Sequence, residues 1–124
     1  TARCAREALR PFPDGGVPAA ALALTRFVDD EKPLWAELDP SGRVVALGSA
    51  AKRRDAVTCG LYALTRAAAL ELPPAGSHAA LREYWTALVA GGRPVRGIVL
   101  GDTVDLDRPE DLPAAEKVSL CFER

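Results

Sequence analysis

Methionine is absent from this chain, histidine occurs once, at His78, and cysteine three times, at Cys4, Cys59 and Cys121. With one histidine and no Cys-x-x-Cys pair, the ligand set of a zinc site is missing. Widely spaced cysteines in odd number build no disulfide framework and fit buried free thiols in a reducing cytoplasm. The sequence reads without a signal peptide or an apolar run long enough to span a bilayer. A formal net charge of −1 removes any broad attraction to nucleic acid or to an anionic membrane. Any phosphate must therefore be held by local geometry. Aromatic residues are few, at 6%, and Trp35, Tyr62, Tyr84 and Trp85 are too scattered to form a nucleic-acid stacking platform. They are expected in the core or at an interface. The chain begins at Thr1 and holds no methionine, which fits N-terminal truncation, although processing also removes an initiating Met.

What is present is ordinary for a globular domain: 48% hydrophobic and 27% charged residues in a chain of 124, enough for a single domain with its own core. Residues 2–10 have helix-forming composition, and the stretch from Pro11 to Pro18 is a loop. The apolar run Ala19–Val28 predicts a strand buried on both faces, broken by Asp29-Asp30-Glu31-Lys32-Pro33. Two short strands within Leu34–Leu38 and Arg43–Leu47 flank Asp39-Pro40-Ser41-Gly42, a strong hairpin signal. Ala56–Leu64 predicts another internal strand, in which Gly60 marks a bulge or the close approach of a ligand. Residues 65–71 suit a short helix stopped by Pro73-Pro74.

Ser77 is expected to cap a helix that runs to about Val89, closes at Gly91-Gly92 and docks through Leu81, Tyr84, Trp85 and Leu88. Val95–Leu100 predicts a strand, Val104–Leu106 a second extended piece, and residues 108–121 a final helix. Asp107 and Glu110 stand in capping-box relation there, with Pro109 in the first turn. Strands and helices alternate in the back half, which predicts an α/β layered domain.

The chemistry concentrates in the tail. Asp105 and Asp107 lie two residues apart in an extended segment, so both carboxylates can face one cation where the strand meets a helix N-terminus. The plainer reading is that Asp107 caps the helix and Asp105 is solvated. A second candidate is the basic loop Lys52-Arg53-Arg54, whose plainer reading is a solvated turn. His78 is expected at the surface.

The order of these pieces carries more than each alone. A hairpin, the basic loop, Val57-Thr58-Cys59-Gly60-Leu61-Tyr62, the helix containing Leu81-Arg82-Glu83-Tyr84-Trp85, and then Asp105-Leu106-Asp107-Arg108-Pro109-Glu110-Asp111-Leu112 follow in sequence. Over residues 20–118 this resembles the C-terminal half of nucleotidyltransferases that activate sugar phosphates or cofactor phosphates, among them the sugar-1-phosphate nucleotidylyltransferases and the molybdenum-cofactor guanylyl- and cytidylyltransferases. The resemblance implies an α/β fold, the C-terminal part of a Rossmann-like (GT-A-like) mixed sheet flanked by helices. It implies a nucleoside triphosphate and a phosphorylated small-molecule acceptor as partners, release of pyrophosphate, and Mg²⁺ as cofactor. By the same resemblance Asp107, supported by Asp105, is the metal candidate. Lys52 is the catalytic cation, and Thr58, Gly60 and Arg53 are on the acceptor side. Glu110 and Asp111 serve the helix N-terminus.

The sequence also departs from that pattern. The family's Glu-Lys-Pro in the loop before Val57 is replaced by Gly48-Ser49-Ala50-Ala51-Lys52-Arg53-Arg54-Asp55. A Glu31-Lys32-Pro33 does occur, but before the hairpin, as a chance match or a subfamily loop. The family's glycine-rich triphosphate grip and first metal aspartate have no counterpart here. The chain is therefore expected to be a fragment that is inactive alone, with an exposed sheet edge that invites a homodimer. Two alternatives stand beside this reading: a metal-dependent nucleotide-sugar glycosyltransferase, and a non-catalytic α/β binding or assembly module.

Overall fold

The computed structural model describes residues 6–8, 10–26, 28, 32–76, 81–101, 103, 106 and 108–122, and of residues 118–122 the backbone alone. The strands are β1 (Ala20–Thr25), β2 (Trp35–Leu38), β3 (Val44–Leu47), β4 (Ala56–Leu64) and β5 (Val95–Val99). Residues 6–8 are helical, and the α-helices with described bounds are α1 (Arg66–Leu70), α2 (Leu81–Ala90) and α3 (Leu112–Phe122). The strands form one five-stranded mixed sheet in the order β3-β2-β4-β1-β5, with β1 and β5 parallel and the other neighbours antiparallel.

The apolar run of β1 is central because it must be covered on both faces. Ala20, Leu22 and Leu24 point into a core shared with Leu34, Ala36, Trp85 and Val89, whereas Ala21 and Ala23 meet Ala8 and Ile98 on the other face. The strand is shorter than its apolar composition predicts: it ends at Thr25, where exposed Arg26 begins a bend. The hairpin forms as expected. Asp39 organises its turn, its carboxylate accepting from the Ser41 N–H at 2.8 Å, the Ser41 hydroxyl at 2.6 Å and the Arg43 N–H at 3.0 Å.

Helix α1 opens on Thr65, whose hydroxyl accepts from the Ala68 N–H at 3.1 Å. Helix α2 docks through Trp85 and Val89, and Gly92, at φ +77°, ends it. Leu81, expected on the docking face, is 50% exposed, and Val89 takes a place on that face instead. Ser77, its expected cap, lies outside the described residues. The last helix is preceded by a 3₁₀ turn, Pro109–Asp111. The expected Asp107–Glu110 box is displaced by one residue: the Asp111 carboxylate accepts from the Arg108 N–H at 2.9 Å. Arg108, with extended backbone, is the cap residue, so Asp111 occupies the third helical position and its short side chain reaches back.

The sheet curls strongly. Gly97 of β5 packs so closely against Leu38 and Leu24 that a Cβ there would lie 2.5 Å and 2.8 Å from their methyl groups. That approach lets the Gly97 N–H donate to the Gly42 carbonyl at 2.8 Å and Arg96 bridge to Arg43. The hairpin turn thus covers the middle of β5. Curvature brings the ends of the sheet, β3 and β5, together at Arg43 and Arg96.

Candidate functional site

The site grows from the irregularity in β4. Leu22 pairs with Tyr62 and Leu24 with Thr58, so Ala23 alone opposes Cys59, Gly60 and Leu61. The bulge is allowed by Gly60, at φ +80°, a conformation that other residues enter at a cost. Space beside Gly60 is open, since a Cβ there would meet nothing within 4 Å.

On the α2 side of this bulge lies a cavity of about 240 Å³, lined by Lys32, Leu34, Thr58, Cys59, Gly60, Tyr62 and Arg82. Strand register explains Lys32. Trp35 pairs with Val57 and Ala36 with Ala56, and the Thr58 N–H donates to the Leu34 carbonyl at 3.2 Å. Lys32 lies two residues before Leu34 and lines the same pocket. Helix packing explains Arg82. Trp85 stacks against Tyr62 with ring centroids 5.0 Å apart, and Arg82 lies one turn earlier on the same helix. Its guanidinium donates to the Lys32 carbonyl at 2.8 Å. The lining among the described residues carries two cationic side chains, hydroxyls from Thr58 and Tyr62, and no carboxylate. Such a surface suits an anion that also offers hydrogen-bonding groups.

The pocket brings Thr58 and Gly60 together but not Lys52 or Arg53. Those two belong to a loop fastened to β2. The Glu37 carboxylate accepts from the Lys52 N–H at 2.8 Å and the Arg53 N–H at 3.2 Å. The Arg53 guanidinium donates to the Leu38 carbonyl at 2.5 Å and approaches Asp55 at 3.5 Å. Asp55 in turn accepts from the Leu38 N–H at 2.9 Å, and this bond, opposed by partial desolvation and aided by Arg53, holds its carboxyl below the usual range. The Glu31-Lys32-Pro33 copy before the hairpin, rather than the loop after it, delivers a lysine to the pocket. Its out-of-order occurrence was the one sequence signal for Lys32. Arg82 gave none beyond a place in the first turn of a helix. Cys59, expected as a buried thiol, is half-buried and lines the pocket.

No protein-family model matches this chain, and no curated protein sequence does. Solved structures do. The inositol-1-phosphate CTP transferase from T. maritima superposes with a TM-score of 0.59 at 19% identity, over 82% of this chain and 44% of that one. The CMP:2-keto-3-deoxy-manno-octonic acid synthetase complexed with CTP superposes with a TM-score of 0.53 at 14% identity, over 85% of this chain and 50% of that one. The fold is nucleotidyltransferase-like. This chain spans half the length of those neighbours or less.

Within that fold the segment after β5 leaves the sheet beside the end of β1, as the bond from the Leu100 N–H to the Leu24 carbonyl shows. Asp105 and Asp107, the expected Mg²⁺ ligands, follow in that segment and lie outside the described residues. Among the described residues no group of three histidine, cysteine or acidic side chains stands close enough to hold a metal ion. No described helix is long and apolar enough to cross a membrane.

Proposed function

We propose that this chain is the acceptor side of an enzyme that transfers a nucleotidyl group from a nucleoside triphosphate to a phosphorylated sugar or cofactor, releasing pyrophosphate. The observation that carries the reading is a pocket with Lys32, Arg82, Thr58 and Tyr62 in its lining, built at the β4 bulge of a nucleotidyltransferase-like sheet. CTP is the favoured donor, because the names of both neighbours point to it.

In this reading an acceptor phosphate oxygen attacks the α-phosphorus and the bond to pyrophosphate breaks. Thr58 and Tyr62 orient the acceptor through their hydroxyls, and Gly60 leaves room for it against the sheet. Lys52 and Arg53, in the loop before β4 whose backbone Glu37 holds, would supply positive charge from outside the pocket lining. Mg²⁺, held by Asp107 and Asp105, would neutralise phosphate charge when bound.

The test is pyrophosphate release by protein from the complete reading frame, given Mg²⁺, CTP and a panel of sugar and cofactor phosphates. Release that requires a phosphorylated acceptor is the expected result. Cleavage of a nucleotide sugar to a free nucleoside diphosphate would favour a glycosyltransferase. A folded protein that does neither would favour a binding or assembly module.

A further inference from the structure

Residues 10–16 form a strap that closes on itself. The Phe12 N–H donates to the Gly16 carbonyl and the Gly15 N–H to the Phe12 carbonyl, both at 2.8 Å. The Asp14 carboxylate accepts from the Gly16 N–H at 2.9 Å. This tight turn offers two groups to the sheet. The Phe12 ring, 3% exposed, holds the guanidiniums of Arg43 and Arg96 against it, and Asp14 pairs with Arg43. Arg96 also donates to the Arg10 and Pro11 carbonyls, while its buried Nε has no hydrogen-bond partner among the described residues. The strap is therefore what seats both arginines.

The two arginines stand where the pairing of the sheet is thinnest. β1 and β5 pair along their length, from Ala20 with Val95 to Leu24 with Val99. Among the described residues, β3 and the turn before it meet the β5 backbone through the Arg43–Arg96 bridge and the bond from the Gly97 N–H to the Gly42 carbonyl, at 2.8 Å. Leu38 carries that junction to the basic loop. Its side chain lies against Gly97, its N–H donates to the Asp55 carboxylate at 2.9 Å, and its carbonyl accepts from Arg53. Separation of the hairpin tip from β5 thus draws on the residue that fastens the loop.

We infer that the strap is a latch on the hairpin tip and, through Leu38, on the loop Lys52-Arg53-Arg54. With Phe12 and Asp14 in place, the tip stays on β5 and the loop stays on β2. When the strap lifts, tip and loop open together while β1, β4 and β5 remain paired. The three basic side chains thereby depend for their placement on a segment far upstream. This coupling goes beyond nucleotidyl transfer and holds whatever reaction the chain serves.

The test is native-state hydrogen exchange of the 124-residue chain at stepped, sub-denaturing urea. The Gly97 and Leu38 amides report the two junctions, and those of Leu22 and Leu24, buried at the centre of the sheet, report global unfolding. Gly97 and Leu38 are expected to share one opening, with a urea slope below that of Leu22 and Leu24 because it exposes less surface. Phe12→Leu keeps most of the volume and removes the cation–π contacts. It should speed exchange at Gly97 and Leu38 by the same factor, about tenfold, the scale of a partly desolvated cation–π contact. Asp14→Asn, at an exposed carboxylate, should speed both about twofold, the scale of a surface ion pair. Different slopes for Gly97 and Leu38 would overturn the latch, as would slopes equal to those of the core. A Leu38 rate that stays fixed while Gly97 quickens would also overturn it, as would unchanged rates at both amides in the two variants.

Discussion

Arg43 and Arg96 share one aromatic ring: their guanidinium carbons lie 4.3 Å and 4.4 Å from the centroid of Phe12. Two like charges are tolerated there because each has its own compensation. Arg43 pairs with Asp14 at 2.9 Å, and Arg96 donates to the Arg10 and Pro11 carbonyls at 2.6 Å and 3.2 Å. Burial, with Arg10 nearby and Glu7 opposing, lowers the Arg96 pKa from its ordinary value. The same two residues bridge the backbones of the edge strands, so the ring closes the curled sheet.

Phe12→Ala therefore removes a buried ring and both cation–π contacts at once. The expected cost is about 3–5 kcal/mol, as for other buried phenylalanines. Urea unfolding measures it, and Phe12→Leu should cost less because it keeps most of the volume.

Two glycines separate crowding from backbone strain. Gly97→Ala puts a methyl 2.5 Å from Leu38 Cδ2, and overpacking of this kind costs about 1–3 kcal/mol. Gly60→Ala meets no atom within 4 Å, yet must hold φ +80°, at about 1–2 kcal/mol. Thermal unfolding should show both losses. The Gly60 change alone is expected to alter ligand shifts in the pocket.

Acid stability is expected to depend on Asp39 and Asp55. Desolvation pushes the Asp39 carboxyl up, but bonds from Ser41 and Arg43 outweigh it and leave the pKa lowered. Asp55 is lowered chiefly by the Leu38 N–H. A depressed folded pKa contributes stability that is present above the unfolded value of about 3.9 and lost as pH falls through the lower folded value. Unfolding free energy should thus decline below about pH 4, and Asp55→Asn should flatten that slope in urea titrations at stepped pH.

Asp111 and Asp107 should part company on mutation. Asp111→Ala removes the carboxylate that holds the Arg108 N–H and should cost about 0.5–2 kcal/mol, a typical loss for a helix cap. Asp107→Asn, in protein from the complete reading frame, should leave the melting temperature near its starting value while abolishing Mg²⁺-dependent pyrophosphate release. A Mg²⁺ titration of that release for both variants checks the assignment.

Local chemistry made much of this protein legible in its sequence. A largely apolar run pointed to a strand buried on both faces, Asp39-Pro40-Ser41-Gly42 pointed to a hairpin turn, residues 65–71 suited a short helix, and Gly60 marked a bulge or a close ligand approach. Each of these follows from a few neighbouring residues, whose dihedral preferences and hydrogen bonds are local. Tertiary structure decided what is set by register and packing across long separations. Lys32 and Gly60 come to one pocket because β2 and β4 pair as they do, and Arg82 reaches Lys32 because Trp85 seats α2 on Tyr62. Glu37 takes up the backbone of the basic loop because β2 runs beside it. Gly97 lets the edge strands close because it leaves no side chain between Leu24 and Leu38. None of these partners is near in sequence, so only the folded chain brings their chemistry together.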